Sequence, residues 1–140
     1  MGLDTTHDCW HGGYGSFSIF REVLARAAGW PQDGDDSYPA SGGSRINWDS
    51  LPAGWLMGEG WEAVPEDPLI ILAAHSDCDG SLPVFALSPL ADRLEELRPK
   101  VYDATMEYAP AWADVMPERV DQFVKGLRAA AAAGEPVEFG

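Results

Sequence analysis

Apolar and polar positions alternate along a few short stretches of the chain and recur at helical spacing along longer ones. Leu3, Thr5, His7 and Cys9 alternate with Asp4, Thr6, Asp8 and Trp10, a period of two that predicts a strand over residues 3–10. His11-Gly12-Gly13-Tyr14-Gly15 breaks that pattern. Ser16 then reads as the N-cap of a helix reaching residue 28, with Phe17, Phe20, Leu24 and Ala27 on one face. Gly29 and Trp30-Pro31 close it. Asp67-Pro68 signals another start, and the apolar run 69–74 reads as a short buried helix or, equally by period, a buried strand. Ser88-Pro89 opens a helix with Leu90, Leu94 and Leu97 inward, which Pro99 is expected to stop. Residues 101–116 match neither period and read as a lid or connector. From Pro117 onward Val120, Phe123, Val124, Leu127 and Ala131 form one apolar stripe, closed by Gly134. Residues 136–139 add a candidate terminal strand.

Between these elements, residues 31–45 are rich in Gly, Asp, Ser and Pro and read as a mobile loop. Residues 46–61 carry Trp48, Trp55 and Trp61 among Pro52, Gly54, Gly58 and Gly60, which predicts irregular structure with short strands laying rings over the core. No repeat or linker divides the chain. The expectation is one α+β domain over residues 1–140, with three to four helices packed on a small β-sheet.

Bulk properties narrow the function. The 140 residues, 46% hydrophobic with six Trp, suffice for a packed core rather than a disordered tail. Nine basic against 23 acidic residues give a net charge of −14, which disfavours duplex DNA and anionic membranes and suits cations or a basic partner. The absence of a membrane-length apolar run or a signal peptide points to the cytoplasm. Met1-Gly2 with Thr6 matches a myristoylation pattern, but residues 3–10 read better as core strand. Two cysteines are too few for a disulfide scaffold.

Both cysteines fall inside clusters of polar, chemically capable residues. The second cluster, His75-Ser76-Asp77-Cys78-Asp79-Gly80, follows a buried apolar run and imitates the middle of a calcium loop, with ligands at alternate positions and Leu82 after the turn. The likeness breaks where His75 replaces an oxygen ligand and Ala86 replaces the bidentate Glu. A metal-free turn with Asp side chains capping backbone amides is the simpler reading. The first cluster, His7-Asp8-Cys9-Trp10-His11, adds further ligands. If the clusters meet, Cys9, Cys78, His7 and His75 suit tetrahedral zinc. The set His7, His11, His75, Asp77 and Asp79 instead suits an open catalytic site for a divalent metal (zinc, manganese or iron). Without a metal, Cys9 or Cys78 would be a nucleophile, with His7, His11 or His75 as base and Asp8 or Asp77 orienting it.

A different chemistry is written at the first glycine cluster. A strand leads into Gly12-Gly13-Tyr14-Gly15-Ser16 and then a helix, so backbone amides can approach an anion. Gly12, Gly13, Gly15, Ser16 and Trp10 are the candidate ligand-binding residues, with Arg21 and Arg45 as candidate counter-charges. The spacing matches neither the dinucleotide fingerprint nor the P-loop. Trp10, Trp30, Trp48, Trp55, Trp61, Trp112, Tyr14 and Tyr38 form either a stacking pocket for a base or, more simply, core.

Gly2-Leu3-Asp4-Thr5-Thr6-His7-Asp8-Cys9-Trp10-His11-Gly12 resembles the opening of an uncharacterised family of small bacteriophage and bacterial proteins, and His75-Ser76-Asp77-Cys78-Asp79-Gly80 resembles its second signature. The closing helix with Val137-Glu138-Phe139 is similar too. The resemblance implies no assigned activity. Ser81 and Ala86 stand where acidic residues are expected in relatives.

Two functions follow as expectations. One is a pocket of Asp4, His7, Asp8, Cys9, His11, His75, Asp77, Cys78 and Asp79 that binds a divalent metal or small ligand, as a metal-dependent hydrolase with His7, His75 and Asp77 as ligands and Asp79 either as base or as a partner that orients a ligand. The other is a non-enzymatic phage-type protein in the host cytoplasm. It would inhibit a host protein in counter-defence through acidic Asp33, Asp35 and Asp36 or its aromatic surface, or sequester a nucleotide at the Gly12–Ser16 turn.

Overall fold

The computed structural model describes residues 2–30, 37–39, 45–47, 53–76 and 78–140. Strands β1 (Gly2–Asp4) and β2 (His11–Gly13) pair antiparallel, with Gly2 opposite Gly13 and Asp4 opposite His11. The single strand expected over residues 3–10 is therefore a hairpin, reversed at a 3-10 turn over Thr6–Asp8. Alternation misleads here because His7 and Asp8 adopt φ of 60° and 56°. Those left-handed conformations cost most side chains ~1–2 kcal/mol, and His and Asp are among the residues that adopt them most often.

Helix α1 (Tyr14–Ala27) leaves β2 directly, with Gly13 as N-cap, three residues before the expected cap at Ser16. Phe17, Phe20, Leu24 and Ala27 are buried as the pattern requires. Strands β3 (Ser37–Pro39) and β4 (Arg45–Asn47) pair antiparallel, so part of the expected loop is a hairpin. The rest of residues 31–45, including Asp33, Asp35 and Asp36, lies outside the described residues, as does Trp48.

Helix α2 (Ala53–Leu56) precedes α3 (Leu69–Ala73), whose five side chains are all buried. Asp67 fixes the start of α3. Its Oδ1 accepts from Leu69 N at 3.0 Å, its two oxygens accept from Arg93 at 3.0 and 3.1 Å, and Oδ2 accepts from Trp30 Nε1 at 3.2 Å. One carboxylate thus joins α3 to the next helix and to the end of α1.

Helix α4 (Val84–Tyr108) runs straight through Pro89 and Pro99, correcting the expected start and stop. An interior proline costs ~3 kcal/mol, but the carbonyls it frees, on Phe85 and Glu95, belong to exposed residues that water can serve. Against that stand Leu87, Leu90, Leu94, Leu97 and Val101, all buried, at ~1.5–3 kcal/mol each. Packing wins. The residues expected as a connector are the end of α4 and a 3-10 turn, Pro110–Trp112. Helix α5 (Met116–Ala133) buries Val120, Phe123 and Leu127 along α4, and Gly134 at φ 67° closes it.

Strand β5 (Ser81–Leu82) pairs with β6 (Val137–Glu138). On the opposite side of β6, Phe139 bridges to Thr5 and Gly140 N donates to Asp4 O at 3.0 Å, while Phe139 N donates to Gly80 O at 2.8 Å. The end of the chain therefore runs between the N-terminal hairpin and the turn after His75. The described strands form three two-stranded sheets rather than one. Among the described residues there are five helices, around one core cluster. Its aromatic centre is Trp10, Phe17, Phe20, Phe123 and Phe139. No helix among the described residues is long and apolar enough to cross a membrane.

Candidate functional site

The hairpin sends the residues of the first cluster in three directions. Cys9 is fully buried, and desolvation pushes its thiol up to about 11, so at neutral pH it is protonated and a poor nucleophile. His7 turns to Glu135, with Nε2 to Oε1 at 3.2 Å. The exposed His11 ring sits between two carboxylates, Nδ1 to Asp4 Oδ1 at 2.8 Å and Nε2 to Asp8 Oδ1 at 2.9 Å. A shallow hollow of about 350 Å³, lined by Asp4, Thr5, Thr6, Glu138, Phe139 and Gly140, opens beside this hairpin.

Hydrogen bonds from His11 to Asp4 and Asp8 hold its pKa above the ordinary 6.5. The sign follows from linkage. A raised folded-state pKa gives a stabilising contribution that is complete below pH 6.5 and fades as pH rises through the folded value. We expect an NMR titration of His11 with a midpoint above 6.5, moved downward by Asp4→Asn. A midpoint at or below 6.5 would refute the ring's placement between the carboxylates.

The second cluster is divided differently. His75 is fully buried, and its ring nitrogens each face a backbone carbonyl, Nδ1 at 2.8 Å from Ser76 O and Nε2 at 2.9 Å from Ser81 O. Burial holds its pKa below the ordinary value, although these two carbonyls pull the other way. Phe139 packs against it at 4.2 Å between ring centroids. Arg21, expected as a counter-charge for the glycine turn, instead donates to His75 O and lies over Phe17. Asp79 Oδ1 accepts from Gly80 N at 2.8 Å, which is the capped turn of the simpler sequence reading. Cys78 is exposed beside Ser76 Oγ at 3.5 Å, and Asp77 lies outside the described residues.

The two clusters flank β6 without merging. Backbone of residues 138–140 stands between them, and the three imidazoles each have separate partners. Among the described residues no group of three or more His, Cys, Asp or Glu side chains is arranged to hold a metal ion. His7, His11 and His75, three of the ligands expected from the sequence, therefore do not meet at one point.

The glycine turn is built differently. Helix α1 starts without a side-chain cap and without an acidic residue in its first turn, so the amides of Tyr14, Gly15 and Ser16 are open at the positive end of the helix. Gly12 leaves a face where three polar atoms converge. The point at which a Cβ would stand lies 3.2 Å from Ser16 Oγ, 3.3 Å from Trp10 Nε1 and 3.5 Å from Arg119 Nη2. Trp10 is fully buried, and its indole N–H has no hydrogen-bond partner among the described residues. A buried donor left unpaired costs ~1–3 kcal/mol. Arg119 lies over the Trp10 ring at 4.7 Å and donates from Nη1 to His11 O at 2.7 Å. Ser16 Oγ donates to Gly13 O at 2.8 Å.

Of the candidate ligand-binding residues, Trp10, Gly12 and Ser16 are brought to one point, with Gly13 and Gly15 beside them in the turn. Sequence reasoning missed Arg119, which supplies the cation in place of Arg21; the side chain of Arg45 lies outside the described residues. No local signal marks Arg119, because it comes from α5 and only tertiary packing brings it to residue 12. Glu135, the partner of His7, was missed for the same reason. No protein-family model, curated protein or solved structure matches this chain.

Proposed function

We propose that this protein is a non-enzymatic binding protein whose ligand is a small anion, held against Gly12 at the N-terminus of α1. One observation carries the reading: the buried, unpartnered Trp10 N–H points to the same face as the Arg119 guanidinium and the open amides of α1. An anion would pair that donor and take the positive helix end at once. The overall charge of −14 opposes its approach. That repulsion is screened beyond ~8–10 Å, whereas hydrogen bonds to a charged ligand contribute ~1.5–3 kcal/mol each at contact. The local donors decide.

The rival metal-dependent hydrolase has less support, because His7, His11 and His75 are committed to separate partners. The resemblance to a phage and bacterial family is compatible with a sequestering role and adds no ligand identity.

Gly12→Ala tests the reading directly. Its φ is ordinary, so Ala fits the backbone, but the methyl fills the face on which the donors converge. Calorimetric titration with inorganic phosphate is expected to show binding to the native protein and a loss of about tenfold or more in the variant. Stability should stay within ~1 kcal/mol. Arg119→Gln should weaken binding without touching the glycine. Equal phosphate affinity in all three proteins would sink the assignment.

A further inference from the structure

Four arginines of this chain meet carboxylates: Arg26 pairs with Glu22, Arg93 with Asp67, Arg98 with Asp121 and Arg128 with Asp92. Arg119 has no such partner among the described residues, although acidic residues outnumber basic ones by 23 to nine. Its one hydrogen bond among them runs from Nη1 to His11 O at 2.7 Å, and its guanidinium lies over the Trp10 ring, 4.7 Å from the centroid. These contacts hold the group in place and leave its Nε and Nη2 donors unpaired among the described residues.

In any arginine, Nε–H and the neighbouring N–H of Nη2 run parallel along one edge of the planar guanidinium, at a spacing that matches two oxygens on one atom. Two other arginines of this chain use that edge. Arg93 donates from Nε and Nη2 to the two oxygens of Asp67 at 3.0 and 3.1 Å, and Arg98 does the same to Asp121 at 2.8 and 3.1 Å. In Arg119 the edge reaches the Gly12 face, because Nη2 is 3.5 Å from the point where a Cβ on that glycine would stand. The unpaired Trp10 Nε1 is 3.3 Å from the same point.

We propose that Arg119 takes the anion side-on through its Nε–Nη2 edge, so that the ligand is an oxyanion with two oxygens on one atom, a carboxylate or a phosphate, and not a halide. This rests on the anion reading above and adds the residue that sets its specificity. A halide can sit before the fork but cannot give each N–H its own acceptor. A lysine ammonium would keep the charge and lose the two parallel donors. Because the guanidinium is held before the ligand arrives, little side-chain freedom is lost on binding.

The experiment is an NMR titration of the native protein with sodium phosphate, acetate and chloride, compared at equal ionic strength. It follows Nε–H of Arg119 and the indole N–H of Trp10. Phosphate or acetate is expected to move both resonances in a saturable way, with chloride weaker by about tenfold or more. The tighter of the two oxyanions names the source, and either supports the side-on contact. Arg119→Lys is expected to lose about tenfold or more in oxyanion affinity. Chloride as tight as the better oxyanion, a Trp10 resonance that moves while Arg119 Nε–H stays still, or full affinity in Arg119→Lys would overturn the side-on inference and leave the anion reading standing. If none of the three anions moves either resonance, both readings fall.

Discussion

Gly126→Ala is expected to destabilise the protein by ~3 kcal/mol or more, seen as a fall in the urea midpoint at unchanged slope. The residue lies in the middle of α5, where Ala would ordinarily stabilise a helix by ~1 kcal/mol over Gly. Here the helix presses on the N-terminal turn with no room for a methyl. A Cβ would overlap Cys9 Sγ and stand 2.8 Å from His7 O and 2.9 Å from Cys9 Cα. Two of those atoms are backbone and cannot swing aside. The turn they belong to is already in left-handed conformations at His7 and Asp8, and Gln122 Nε2 holds Asp8 O at 2.9 Å. Helix α5 and the turn would have to separate, opening the core at Trp10 and Phe123. Removing the sulfur with Cys9→Ala should recover only part of the loss, since His7 O remains. A variant as stable as the native protein would show that α5 and the turn do not make this close approach.

Gly58→Ala should act locally and as severely. Its φ of 77° already penalises any side chain, and a Cβ would fall on the Ser81 carbonyl oxygen. That carbonyl lies 2.9 Å from His75 Nε2, and the segment around Gly58 is pinned to the same turn by Ser76 N to Leu56 O at 2.7 Å and Ser81 N to Met57 O at 3.1 Å. The variant cannot keep this docking. Amides of Ser76 and Ser81 are expected to exchange with solvent at least about tenfold faster, while those in the middle of α4 and α5 stay protected. Uniform loss of protection would mean that the segment is part of the global folding unit, and unchanged protection would refute the close approach at Gly58.

How much of this was written in the sequence depends on the range of the contacts involved. The stripes of α1 and α5 are legible because period and burial coincide over many residues: Phe17, Phe20 and Leu24 on one, Val120, Phe123 and Leu127 on the other. The proline rule failed at Pro99, where long-range packing of α4 outweighed one lost hydrogen bond. The first hairpin was illegible because its turn uses His7 and Asp8 rather than glycine, so the alternation ran through it unbroken. At the candidate site, Gly12 and Ser16 carry a local signal, a turn feeding a helix. The unpaired state of the Trp10 N–H and the arrival of Arg119 are outcomes of packing, and no spacing rule encodes them.

The bridge between Thr5 and Phe139 also bears on how such a chain is made. Asp4 and Thr5 leave the ribosome well before Phe139 and Gly140, yet the Thr5–Phe139 bridge and the bond from Gly140 N to Asp4 O join them. During translation the turn at His7 and Asp8 also lacks α5, which holds it, so it cannot be locked early. A domain with local helices and a final long-range closure should form its α4–α5 pair before its hairpin settles. The face at Gly12, which borrows Arg119 from α5, is then assembled only when the fold is nearly complete, so anion binding would report on finished protein rather than on its nascent forms.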